Sequence, residues 1–399
     1  MNKQLPLTDV RVVEFSHMVM GPSCGMVLAD LGADVIKVEP TIGDNTRRLP
    51  GSGAGFFVTF NRNKRSLALD IKAPRGLDIA KRLVARADVL IENFRPGSLD
   101  EIGLGYEVTA AINPKLIYCS LKGFLSGPYE HRAALDEVVQ MMGGLAYMTG
   151  PPGRPLRVGA PVNDIMGGMF AVIGILAALH KRSETGRGQR IKSALYENTA
   201  FLVSTAMAQF AVTGTPAAPM PDRISAWAIY DVFDTADDLQ IFIGVVTDTQ
   251  WRAFCEAFER PDLAADSSLG TNTQRVAARG RFLPELRLLF RKFTRDDLAR
   301  ICEVARLAYA PIRRPDELFD DPHLNNAGGM IELRLPHGGT TLIPALPLEL
   351  DGKRLGRRFD IPRIGEHSAE IAEALGLESS YIDDLIRDRI LGEDPGKDL

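Results

Sequence analysis

The sequence predicts an α/β fold with a largely parallel sheet, and two features carry that reading. From Arg11 onward, short β-branched runs alternate with helical stretches, the pattern of strands joined by crossover helices. Further on, a long apolar stretch, Ile165 to Leu179, runs into the basic turn His180-Lys181-Arg182 and then Gly186. A helix apolar on every side is a buried one, and a basic last turn followed by glycine is a helix stop. At 399 residues the chain is long enough for two domains of ordinary size.

Taken in order, Arg11 to Phe15 reads as the first strand, and Gly21-Pro22 leads into a helical stretch through Met26, Leu28 and Leu31. Asp34 to Glu39, Ser66 to Asp70, Asp88 to Glu92 and Leu116 to Leu121 read as the next four strands. Pro74 to Ala87 is a helix with proline near its start, where proline is tolerated. Gln189 to Ala194 is a further strand, followed by a helix from Ala200 to Val212. Residues 1–212 therefore form a large domain, and 213–225, rich in Pro, Gly and Ala, a linker. A smaller α/β domain, 226–330, opens with strands Trp227 to Phe233 and Gln240 to Val246 joined as a hairpin. Its helices are Thr249 to Phe258, Thr273 to Phe293, and one entered by Thr294-Arg295-Asp296-Asp297 with capping-box spacing. A second hairpin surrounds His337-Gly338-Gly339, helices return at His367 to Leu375 and Ser380 to Leu391, and the tail after Gly392 is expected to fray.

Composition narrows the function classes. An apolar share of 45%, a charged share of 25% and a net charge of -4 fit a soluble globular protein and argue against nucleic-acid or membrane-surface binding. Four scattered cysteines without a C-x-x-C pair read as reduced, mostly buried thiols. Met1 to Thr8 has no signal-peptide core, and Ile165 to Leu179, with three glycines, is read as too short to span a bilayer. A cytoplasmic protein is expected. No P-loop, zinc-binding or nucleophile-elbow motif is present, and six scattered histidines make no metal site. Gly51-Ser52-Gly53-Ala54-Gly55 lacks dinucleotide-binding spacing and reads as a flexible loop or lid.

Asp164 stands at the mouth of the central helix. Taken locally it reads as an N-cap. Asn163 offers an alternative cap, however, and Gly167-Gly168 each weaken the helix by about 1 kcal/mol relative to alanine. That cost is tolerated where something lies close against the backbone, which leaves Asp164 open to act as a nucleophile. Polar groups also follow the strands: Ser16 to Pro22, Gly43 to Arg48, Asn93 to Gly97 and Lys122-Gly123-Phe124, with Asn61 to Arg65 before the third. In a parallel sheet ligands bind beyond the strands' carboxyl ends, so these cations suggest an anionic, phosphate-bearing ligand.

Val13-Glu14-Phe15 to Gly21-Pro22, Leu31 to Glu39, Gly43-Asp44 with Arg47, Asn61 to Ser66, Glu92 to Gly97, Gly103 to Tyr106, Thr185 to Gln189 and Gly365-Glu366-His367 follow one another along the chain. In this order they resemble the motifs of the class III CoA transferases. The resemblance spans nearly the whole chain. It implies a Rossmann-like large domain, a smaller α/β domain, a return segment 331–399 completing the large one, and an interlocked homodimer. It places the nucleophile at Asp164, with oxyanion support from the N–H groups around Gly167 and Gly168. Along the CoA channel it places His17, Met18, Met20, Asn93, Phe94, Arg95, Lys122 and Asp136. CoA and acyl-CoA then enter as substrates, with no tightly bound cofactor and no metal.

Formyl-CoA transferases carry a glycine run before the second strand of the small domain's hairpin, absent here, and Val19 replaces a polar residue facing oxalate. Oxalate and formate are therefore disfavoured. The look-alike α-methylacyl-CoA racemases need acid–base groups on both faces of the α-carbon, and their histidine would fall on Leu135. The acceptor expected is a short dicarboxylic acid such as mesaconate, itaconate, citramalate or glutarate, with succinyl-CoA as donor. Arg47, Arg48 and Arg62 are candidates for its far carboxylate or for CoA phosphates. A non-catalytic acyl-CoA-binding module is the contrasting reading, distinguished by whether function survives loss of the Asp164 side chain.

Overall fold

Six parallel strands form the centre of the structure, a computed structural model describing residues 5–223, 225–326 and 328–393. They are β1 (Arg11–Phe15), β2 (Asp34–Glu39), β3 (Lys64–Leu69), β4 (Val89–Glu92), β5 (Ile117–Lys122) and β6 (Arg190–Ala194). The chain divides into two compact units, Met1–Pro221 with Pro322–Leu399, and Asp222–Asp321. The expected fraying after Gly392 falls almost entirely outside the described residues.

β-Branched and apolar side chains fill both faces of this sheet, as parallel strands require. Val13, Phe15, Ile36, Val38, Leu67 and Leu90 pack on one face against the helices Pro74–Arg86, Ser368–Ala374 and Ser379–Arg387. Val12, Val35, Val89, Ile91, Ile117 and Cys119 pack on the other against the helices Met20–Asp30 and Val162–Thr185. The strand order is β3-β2-β1-β4-β5-β6, so the winding reverses between β1 and β4. The loops after those two strands face the crevice where open α/β sheets take their ligands.

The second unit is built on an antiparallel sheet of β7 (Ile229–Asp234), β8 (Gln240–Val245) and β9 (Ala308–Pro311), over a core that includes Phe233, Trp251, Phe254, Phe282 and Phe290. Threonines start three of its helices: Thr247, Thr271 and Thr294 each accept an N–H three residues on. The expected long helix Thr273 to Phe293 is broken at Ala278 into Asn272–Ala277 and Arg279–Phe290. Back in the first unit, β10 (Met330–Arg334) and β11 (Thr340–Pro344) form the expected hairpin. Two short pairs were not foreseen: β12 (Glu349–Leu350) with β13 (Lys353–Arg354), and β14 (Leu391–Gly392), which joins the main sheet antiparallel to β3.

Three expectations need correction. Gly51–Gly53 is a turn of 3-10 helix leading into the helix Phe56–Phe60, where a flexible loop was expected. The central helix extends over Val162–Thr185, long and apolar enough to cross a membrane by length and composition, where the run Ile165 to Leu179 alone reads as too short to span one. Nor is it buried all round: Gly168, Ala171, Val172, Ile175 and Ala178 face the core, while Met169, Phe170, Ile173 and Leu176 lie exposed. Its stop is as read, with Gly186 in the left-handed region and its N–H donating to the Arg182 carbonyl at 2.8 Å.

Helix Met20–Asp30 crosses the central helix at the glycine pair. A methyl group on Gly168 would lie 2.1 Å from Ser23 Oγ, 2.9 Å from the Met20 carbonyl oxygen and 3.0 Å from the Cys24 nitrogen. Two of those atoms are backbone and cannot rotate away. Gly168→Ala should therefore cost about 1–3 kcal/mol in urea unfolding by overpacking, and an unchanged midpoint would contradict this close crossing.

Candidate active site

A helix start leaves four backbone N–H groups unpaired, and the central helix begins at Pro161, which has no side-chain acceptor to offer. The groups are served from outside. Asp136, on the helix Asp136–Met142, accepts through Oδ2 from the N–H of Asn163 at 2.8 Å and of Asp164 at 3.0 Å. Its other oxygen accepts from the Gln140 side-chain amide, whose own oxygen accepts from the Val158 N–H at 2.9 Å. Asp136 is itself buried.

Neither Asp164 nor Asn163 is the cap, which corrects the local reading of both. Asp164 sits in the first turn, half-buried, and its carboxylate has no hydrogen-bond or ion-pair partner among the described residues. Burial, and after it the charge of Asp136, raises its pKa to about 7. Asn163 is fully buried with both polar side-chain atoms unpaired. Nothing in its sequence context signals that.

The glycines have a different explanation from the one expected. Both are buried, and a methyl group on Gly167 would meet Met20 Cε at 2.3 Å and Asn198 Nδ2 at 2.8 Å. Beyond the first turn their amides belong to the helix's own hydrogen-bond ladder and are not free to hold an oxyanion. What lies close against the backbone here is a neighbouring helix. The Gly167 carbonyl also accepts from Ser193 Oγ at 2.9 Å, a contact the sequence did not suggest.

Five of the residues expected along the CoA channel gather where the sheet's winding reverses. The His17 N–H donates to Asn93 Oδ1 at 3.0 Å and Asn93 Nδ2 donates to the His17 carbonyl at 2.8 Å, clipping the loop after β1 to the loop after β4. The Phe94 ring lies 5.5 Å from the His17 ring, and Met18, with φ 62°, donates its N–H to Thr46 Oγ1 at 3.0 Å. Met20 completes the group by reaching Gly167. Arg95 lies exposed, bonded to Ser98 and Glu101. Lys122 turns inward to Glu92 at 2.7 Å and the Phe94 carbonyl at 2.6 Å.

Most of the cations read as an anion-binding rim are internal. Arg62 is buried and paired with Asp30 at 2.7 Å. Arg47 forks onto both oxygens of Glu39 and stacks 3.7 Å above the Phe57 ring. These pairs correct the reading of Arg47 and Arg62 as substrate ligands. Arg48 remains exposed, bonded to the Ile42 carbonyl at 2.8 Å and to Asn45. Beneath them Glu14 joins Lys64 at 2.8 Å, and Lys37 bonds Asp44 at 2.9 Å and the Ser16 carbonyl at 2.8 Å. Leu135, where a racemase would need its histidine, is an exposed leucine.

The raised pKa of Asp164 has a stability consequence. Its folded value lies above the unfolded value of about 4, so the folded state binds that proton more tightly. The group's contribution is therefore full at low pH and is lost as pH rises to about 7. Asp164→Asn should melt higher than the parent protein above pH 7, with a gap that grows from about pH 4 to about 7 and then stays constant. A pH-independent gap would show that Asp164 does not titrate in this range.

A family model described as CoA-transferase family III matches residues 7–368. The succinate–glutarate CoA-transferase of Agrobacterium fabrum is 35% identical over 389 residues, covering 94% of this chain and 96% of that protein. The succinyl-CoA–D-citramalate CoA-transferase of Chloroflexus aurantiacus is 34% identical over 385 residues, covering 93% and 94%. A solved CAIB/BAIF family protein from Brucella suis superposes with a TM-score of 0.83 at 34% identity, over 94% of this chain and 100% of that one. A match of this length to the family, with relatives this similar along nearly the whole chain, makes the protein an enzyme belonging to CoA-transferase family III.

Proposed function

We propose that this enzyme transfers CoA from succinyl-CoA to a short dicarboxylic acid of the class of glutarate, citramalate, mesaconate or itaconate, with Asp164 as nucleophile. The observation that carries the proposal is a carboxylate without partners in the first turn of a helix, its pKa raised to about 7. The relatives named for succinate or succinyl-CoA paired with glutarate or citramalate support the substrate class.

The chemistry follows from that carboxylate. An Asp164 oxygen attacks the donor's thioester carbon, the C–S bond breaks, and a mixed anhydride forms while CoA leaves as its thiolate. The thiolate then attacks the Asp164 carbonyl carbon, releasing the donor acid and leaving an aspartyl-CoA thioester. The acceptor carboxylate opens this thioester to a second anhydride. Attack of the thiolate on the acceptor's carbonyl then yields the new acyl-CoA and restores Asp164. One carboxylate replaces another and no net proton moves, so the cycle needs no general base. In this reading the loops bearing His17, Met18, Asn93 and Phe94, with the exposed Arg95, border the CoA path.

We further propose that a second copy of the chain covers the exposed face of the central helix. Met169 and Ile173 are 51% and 59% exposed there, Phe201 packs edge-to-face on Phe170, and the helix Ser204–Thr213 buries none of its residues. Apolar surface on this scale marks an interaction face. Sedimentation equilibrium should return twice the chain mass, and a monomer at micromolar concentration would reject the pairing.

Activity is tested with purified protein and an array of acyl-CoA donors and carboxylic acids, reading the acyl-CoA products by mass spectrometry. Asp164→Ala should lower transfer by at least on the order of a thousandfold while CoA still binds in equilibrium dialysis. Transfer at the parent rate in this variant would rule out Asp164 as nucleophile.

A further inference from the structure

We propose that Asp136 is a positioning residue that sets the reactivity of Asp164: it takes the helix-start N–H groups in the nucleophile's place, and its negative charge makes the free Asp164 carboxylate costlier than its acylated, uncharged forms. This rests on Asp164 being the nucleophile and adds a device that controls it.

In the first turn of a helix, an unassisted aspartate would be held by the unpaired N–H groups and the positive end of the macrodipole. Both effects stabilise the anion and blunt it as a nucleophile. Asp136 reverses them. Its Oδ2 occupies the N–H groups of Asn163 and Asp164, and Gln140 pins its other oxygen, so the carboxylate cannot swing away. No cation pairs with Asp136 among the described residues, and on its own helix the adjacent Glu137 is paired with Arg157 at 2.8 Å.

The other elements against this end of the helix bring no competing charge. The helix Met20–Asp30 presents Met20, Ser23 and Cys24, the last a thiol kept protonated by burial. The helix Leu195–Leu202 presents Asn198, and β6 presents Ser193. Asp136 is therefore the charged group facing Asp164. Each time Asp164 becomes an anhydride or thioester it loses its charge and the repulsion disappears. The covalent states gain relative to the resting enzyme, and the resting carboxylate gains basicity.

Asp136→Asn keeps a side-chain oxygen for the two N–H groups but removes the charge, and Asp136→Ser supplies a different neutral cap. In both, the acid limb of the pH profile of kcat/KM should move to lower pH. The plateau kcat should fall on the order of tenfold, with KM for the acyl-CoA changed by less than about twofold. A second readout does not depend on activity. The pH midpoint of the melting-temperature gap between Asp164 and Asp164→Asn should move down when measured in the Asp136→Asn background. Variants that melt lower and turn over more slowly with neither midpoint displaced would reduce Asp136 to a structural cap and overturn the proposal. A displaced melting midpoint with a kcat/KM profile indifferent to Asp164 would keep the electrostatic coupling and reject Asp164 as nucleophile.

Discussion

The start of a helix must find acceptors for its N–H groups, and in this protein Asp136 meets that need from another helix. The rest of the site depends on this one substitution of roles. A side chain that would otherwise have been bound to its own backbone is left free. It is also left beside a like charge in a half-buried setting, where its ionised form is disfavoured. The glycine pair brings the helix Met20–Asp30 directly onto the following turn. The loop after β1 is thereby tied to the same helix end that carries the free carboxylate.

A buried ionic cluster holds that loop. Glu14 in β1, Lys37 in β2 and Lys64 at the start of β3 are fully buried, with Asp44 and Glu39 nearly so. Burial lowers the pKa of Lys64 to about 8 even with Glu14 at 2.8 Å. Such pairs gain little net stability over apolar residues, but loss of one partner is costly. Here Lys37 bonds the Ser16 carbonyl, Lys64 the Pro22 carbonyl and Ser16 the Glu14 carboxylate, so the cluster grips both ends of the segment carrying His17 to Met20. We read it as a rigid foundation for the loops after β1 and β2 and not as a ligand site.

The sheet was legible in the sequence because parallel strands buried on both faces read as β-branched runs, and the first six lie within two residues of where those runs end. The stop at Gly186 was legible for a local reason, a left-handed position that glycine fills readily. What sequence could not show was tertiary partnership. Arg47 and Arg62 look like free cations until Glu39 and Asp30 are seen against them, and Asp136 becomes a cap only once its helix is placed against Asn163 and Asp164. Short edge strands such as β9 and β14 carry too few residues for a periodic signal. The exposed side of the central helix was missed because apolar composition does not say whether this chain or another copy covers a face.

The central claim is that the acceptor's oxygen passes through Asp164. Turnover with an acceptor acid labelled with heavy oxygen in its carboxylate, followed by peptide mass spectrometry, tests this most directly. The account requires one heavy oxygen in the peptide carrying Asp164 after the first turnover, up to two after many, and heavy oxygen in the donor acid released from the second turnover onward. Heavy oxygen in the released acid, with Asp164 unlabelled after many turnovers, would contradict it, because the two acids would then have exchanged CoA without passing through the enzyme's carboxylate.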